Sequence, residues 1–204
     1  EGEAEALHRR ALEGLEAALG PAHPATMTSL NNLACLLQRE PAGLAEAEAL
    51  LRSVLAGREE VFGWDHPQTW TGAGNLAYVL QRRGRPEEAR PLYERALEGF
   101  GDRLWQEHRD SMAVTNNYAC LLEGLGETTE AEELQMKVTL WRERRLGDSH
   151  VETLKSVETL ASIRETLGRL GDAELLCRFA HEKFTEHLGA QHPDTMSSAS
   201  NVAS

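Results

Sequence analysis

Five histidines recur along the chain at His23, His66, His108, His150 and His192, separated by 43, 42, 42 and 42 residues. A histidine row invites a metal reading. Packed helices, however, lie about 8–10 Å apart, whereas ligands sharing a zinc ion each sit about 2 Å from it. One ion cannot join two such rings, so no metal is expected. Histidine followed by proline, as in His23-Pro24 and His66-Pro67, suits the start of a helix instead. The polar ring caps, and proline in the first turn loses no hydrogen bond that the helix would have made. Cys35 and Cys120 have no histidine in their own helical stretches to activate them. Cys177 falls in an apolar stripe, where a thiol packs as a small hydrophobe. Glu123, Glu158 and Glu165 could gather, but a carboxylate row is ordinarily solvated charge. Without a P-loop or dinucleotide fingerprint, neither catalysis nor a cofactor is expected.

The elements that carry these groups follow from composition and period. The 204 residues are 41% hydrophobic, enough to bury a core. The net charge of -12 would repel a phosphate backbone, which argues against nucleic acid. No stretch approaches the roughly 20 apolar residues that a bilayer demands, and no signal peptide opens the chain. An odd number of cysteines without framework spacing points to a reducing, cytoplasmic setting.

Two alanine rows keep the histidine period: Ala34, Ala77, Ala119, Ala161 and Ala203, and Ala4, Ala47, Ala89, Ala131 and Ala173. The single extra residue lies between Gln38 and Ala47, near Pro41 and Gly43, where a turn absorbs it. Each unit reads as two helices. Trp70, Ala73, Leu76, Ala77 and Leu80 mark the first, and Ala89, Leu92, Tyr93, Ala96 and Leu97 the second, running on to Leu104 or Trp105. Linkers such as Leu19 to Pro24 and Phe62 to Pro67 place glycine after one helix and proline at the start of the next. In the linker without proline, Ser149 and Glu152 offer a capping box. The paired alanines let backbones approach so that Leu33 and Leu51 interlock. One helix pair cannot bury its stripe alone. Stacking predicts an all-α, right-handed superhelical solenoid of antiparallel helix pairs with a concave and a convex surface.

The expected organisation is one array over 1–204. Residues 1–22 form a half repeat with only a second helix, 23–65, 66–107, 108–149 and 150–191 are whole repeats, and 192–204 is a half repeat with only a first helix. Solenoid ends need polar caps. Their absence suggests a fragment of a longer protein, or self-association through uncapped helical ends.

Ser29-Leu30-Asn31-Asn32-Leu33-Ala34, then Glu46-Ala47-Glu48, Arg95-Ala96-Leu97-Glu98 and the Leu-Gly-x-x-His-Pro linker resemble the 42-residue tetratricopeptide repeat of kinesin light chains across essentially the whole chain. Similar arrays occur in nephrocystin-like proteins and as sensor regions of NB-ARC-type signalling ATPases. The resemblance implies a non-enzymatic scaffold for protein partners.

It also bears on a third row. Asn32, Asn75, Asn117 and Asn201 share one position, with Thr159 as the exception, although asparagine is poor inside a helix. In the family this position faces the concave groove and binds the backbone of an extended peptide, since an amide both donates and accepts. A bond to the neighbouring helix is the other explanation, and both can hold. Helical geometry sends residues three before or after, and seven after, to the same face. The first unit offers Thr28, Asn31, Cys35, Gln38 and Arg39, and the second Thr71, Gly74, Tyr78, Gln81 and Arg82. Asn116, Cys120 and Glu123 follow, then Lys155, Glu158, Ser162 and Glu165. Cations prevail in the N-terminal half, so a ligand with an acidic segment over Arg39 and Arg82, with Tyr78 as a flat contact, fits best. Cys35, Tyr78, Cys120 and Ser162 stand where a carboxylate clamp for chaperone tails would want a second asparagine, which disfavours that role.

The expected peptide site is thus Asn31, Asn32, Arg39, Asn75, Tyr78, Arg82, Asn116, Asn117 and Lys155. The alternative is a regulatory or assembly segment of an NB-ARC-type ATPase, packing intramolecularly or end to end. Gly14, Gly57 and Gly99 occupy one position inside second helices, where Trp141 is the fourth member and either an outward aromatic or folded onto a neighbour. Pro91 reads as part of a tight first turn.

Overall fold

The computed structural model describes residues 2–107 and 109–202, with the side chains of 3–101 and 109–201. His108, Ala203 and the side chains of Leu104 and Trp105 lie outside the described residues. Among the described residues there are ten α-helices and no strand: α1 (Gly2–Leu19), α2 (Pro24–Leu37), α3 (Leu44–Phe62), α4 (Pro67–Arg82), α5 (Pro86–Glu107), α6 (Arg109–Gly124), α7 (Thr128–Leu146), α8 (Val151–Thr166), α9 (Leu170–Leu188) and α10 (Pro193–Val202). They form two compact units, Glu1–Val114 and Thr115–Ser204. In the first, each of α1 to α4 packs on its successor, and in the second each of α7 to α9 does.

Both alanine rows are buried wherever a helix pair closes over them, at Ala34, Ala47, Ala77, Ala89, Ala119, Ala131, Ala161 and Ala173. Leu33 and Leu51 are fully buried on the same two helices, α2 and α3. The one-residue insertion takes the form of a short 3-10 turn, Pro41–Gly43, between α2 and α3.

The histidines cap. Nδ1 of His23, His66, His150 and His192 accepts from the backbone N–H of Ala25, Gln68, Glu152 and Asp194, each at 3.2 Å. His150 therefore does the work expected of Ser149, whose hydroxyl donates to Asp148 instead. The imidazole already satisfies the first-turn donor, so no capping box forms. A second tie escaped the sequence reading. Thr26 and Thr69, three residues after the capping histidines, donate to the carbonyls of Gly20 and Gly63 at 2.8 Å and pin each linker to the helix that follows.

The glycines inside second helices have a packing reason. A Cβ on Gly99 would lie 2.2 Å from the Trp70 ring, and one on Gly57 2.9 Å from the Met27 sulfur. The first-helix side chain lies in the space the missing Cβ leaves, and Trp70 then meets Phe100 edge-on at 5.3 Å. Trp141, the fourth member, is half-buried. Cys177 is half-buried as well and not in the core, unlike its fully buried equivalents Leu51, Tyr93 and Gln135. The run of α5 to Leu104 or Trp105 is also corrected: Gly101, at φ 50 and ψ 179, breaks the helix. Gly20, Gly63, Gly147 and Gly189 end the other second helices with positive φ.

Charge reinforces the pairs. Glu48, almost buried, binds Arg52, Arg83 and Arg85. Burial raises its pKa, but the three guanidiniums together hold it below the ordinary value. Glu132 repeats the arrangement with Arg164 and Arg169.

Candidate functional site

The first helices of the repeats, α2, α4, α6, α8 and α10, carry the candidate residues, and the structure joins several of them across helices. In the first unit, Asn75 on α4 donates from Nδ2 to Asn31 Oδ1 on α2 at 2.9 Å, and Asn31 Nδ2 points to the Cys35 sulfur at 3.8 Å. Arg82 donates to the Gln38 carbonyl, and its guanidinium lies 6.0 Å from the Tyr78 ring centre. Thr71 donates to Asp110 Oδ2 at 2.9 Å. In the second unit the same register recurs with other chemistry: Lys155 pairs with Asp194 at 3.2 Å, and Asn201 donates to Glu158 at 3.0 Å.

These are rungs between successive first helices. Asn75 and Asn201 hold the same repeat position, and each reaches back to the preceding first helix. The bond to a neighbouring helix is therefore present at both. Their oxygens and the second amide protons are not consumed by these rungs.

The remaining candidates are spread along the same faces. Asn31, Asn75 and Tyr78 are half-buried, and Asn32, Arg39 and Arg82 are exposed. Asn116 and Asn117 are half-buried on α6, while Lys155 is exposed on α8. Gly74 is buried against Val114.

The electrostatics of the two units differ. Burial pushes the Cys35 thiol up, against the pull of Arg58 and Arg39. Cys120 is raised by burial and then by Glu123, and Cys177 by burial and then by Glu158 and Glu165. A thiol held above its ordinary value is a poor nucleophile at neutral pH. Burial likewise raises Glu158, opposed by the bond from Asn201.

Sequence reasoning missed two arginines. Arg58 on α3 is buried, donates to the Gln68 carbonyl at 2.7 Å, and leaves Nε unpartnered. Burial lowers its pKa, and Asp110 draws it back. Arg142 on α7 donates to Ser156 Oγ and to the Glu152 carbonyl, and burial lowers its pKa too. The available signal was the repeat itself. Arg58, Phe100, Arg142 and Phe184 share one position, so a residue equivalent to buried phenylalanine should itself be buried.

Two sequence profiles described as tetratricopeptide repeat match the chain, one over residues 42–101 and the other over 2–25 and 111–152, together more than half of it. No curated protein sequence matches. Among solved structures, the nearly identical TPR-like repeats of a Podosopora anserina protein assigned as a kinesin light chain superimpose with a TM-score of 0.80 at 26% identity, covering 89% of this chain and 85% of that one. A point variant of that same protein gives 0.80 at 25%, with the same coverage. BtubC (BKLC) from P. vanneervenii shares the fold, with a TM-score of 0.81 at 21% identity over 97% of this chain and 80% of that one. With its helix pairs, buried alanine rows and capping histidines, the chain belongs to the tetratricopeptide-repeat family, and its repeats are like those of kinesin light chains.

Proposed function

We propose that the protein is a non-catalytic interaction scaffold whose first helices hold an extended peptide segment of a partner. The Asn31 and Asn75 amide pair carries this reading. It fixes both side chains at the same face and leaves an acceptor on Asn75 for a backbone N–H. Asn32, Asn116, Asn117 and Lys155 would extend such contacts along the first helices of their own units. In the first unit an acidic ligand segment is favoured. Arg39 is exposed, and Arg82 exchanges its bond to the Gln38 carbonyl for a charge-assisted one to a carboxylate while Tyr78 supplies a flat surface. The three free cysteines fit a reducing intracellular setting.

Fluorescence polarisation with a library of acidic and neutral peptides tests this. Asn75→Ala and Arg82→Glu should each weaken the best binders at least tenfold, and unchanged affinities would remove the assignment. A second reading is assembly of the protein with itself or within a larger signalling ATPase. Sedimentation over a concentration series decides it, because a monomer at all concentrations excludes self-association.

A further inference from the structure

The second helices change character between the two units. In the first unit, Arg9 on α1 binds Glu46 on α3 at 2.6 Å, and Arg52 on α3 binds Glu88 on α5 at 3.1 Å. These equivalent pairs show which side of a second helix faces the next one. The seam beside them carries small or charged residues: Arg52 and Ala56 against Pro91 and Arg95, all but Ala56 and Pro91 charged. The same register in the second unit sets Met136 and Leu140 on α7 toward α9, and Leu175 and Phe179 on α9 toward α7. All four are exposed, Met136 by 41%, Leu140 by 44%, Leu175 by 68% and Phe179 by 36%.

Four large apolar side chains at i, i+4 spacing on two neighbouring second helices make a hydrophobic seam where the equivalent positions of the first unit are small or charged. Core packing does not explain it, since the buried faces of α7 and α9 use other residues, Val138, Ala173, Ala180 and Phe184 among them. Exposed apolar side chains gathered over a few hundred Å² are often functional.

We infer that the α7/α9 seam is a second docking surface, separate from the first-helix face, and that its occupant is a single amphipathic helix of a partner protein. Size selects this occupant. Taking about 200 Å² for a large side chain, the exposed fractions amount to roughly 380 Å², below the about 800 Å² per partner of a stable dimer. That area suits the apolar stripe of one helix, whose ridge of i, i+4, i+7 side chains lies between the ridges of α7 and α9. Flanking charges of both signs, Lys137 and Arg144 against Glu143 and Glu182, leave selection to the apolar contacts.

The test uses the full chain and a displayed library of helical peptides. Enriched sequences should carry apolar residues at i, i+4 and i+7, and their affinity should fall at least tenfold with Leu140→Glu/Leu175→Glu. It should hold with Arg82→Glu, which alters the other face. Because both replaced leucines are exposed, far-UV circular dichroism should be unchanged; if it is not, Met136→Gln/Phe179→Gln provides the same comparison. Failure of any helical sequence to enrich, or binding that survives both double variants, overturns the inference. A dimer in sedimentation equilibrium that either double variant dissociates overturns it too, by making a second copy the occupant.

Discussion

The Asn75 side-chain amide donates to the Asn31 oxygen at 2.9 Å, across 44 residues of sequence and between two first helices. An asparagine that weakens its own helix thereby joins it to the previous one. Asn75→Ala should lower the urea midpoint by an amount equivalent to about 1 kcal/mol. Asn31→Ala should do the same, and the double variant should cost less than the sum, because both remove one bond.

Trp70 and Gly99 predict opposite signs at equivalent glycines. A methyl at Gly99 collides with the indole, so Gly99→Ala should destabilise by about 1–3 kcal/mol despite the better helix propensity of alanine. Gly14 has nothing within 4 Å, and Gly14→Ala should stabilise by about 0.5–1 kcal/mol. Thermal melts of the two variants check this pair, and Trp70→Leu should relieve the Gly99→Ala defect.

Acid should act through Glu48. Its pKa is below the ordinary 4.5 in the folded protein, so the unfolded chain binds the proton more readily. The stabilisation is therefore complete above the unfolded value and drains away as pH falls through the folded one. At pH 7, Glu48→Gln should cost about 1–3 kcal/mol. The gap between variant and parent in urea midpoints should narrow as pH falls below 4.5, and a gap independent of pH would refute the ion cluster as its source.

The capping histidines should behave as caps. His66→Ala removes the acceptor for the Gln68 N–H and should cost about 0.5–2 kcal/mol, whereas His66→Asn should retain most of the stability. Hydrogen exchange at the first turn of α4 gives the local readout.

The thiols provide a chemical check on the non-catalytic reading. Burial raises Cys35, Cys120 and Cys177 above their ordinary value. Alkylation by iodoacetamide at pH 7.5 should be slower than for a free cysteine peptide at all three positions. Fast labelling at Cys35 would reopen the question of covalent chemistry.

Local and repeated interactions were legible from the residues alone. Apolar spacing at 3 and 4 residues, His-Pro at helix starts and the two alanine rows are each complete within a few residues or one repeat. They determined the helix pairs, the caps and the family. Other outcomes required the packed chain. Whether Asn75 turns to Asn31, whether Arg58 is buried beside Gln68, and why Gly99 must lack a side chain depend on partners from about 10 to 44 residues away. Which rotamer spans such a gap is decided only when helices meet. The break at Gly101 and the exposed seam of Met136, Leu140, Leu175 and Phe179 belong to the same class. A sequence states which residues are apolar, but burial is a property of what comes to lie against them.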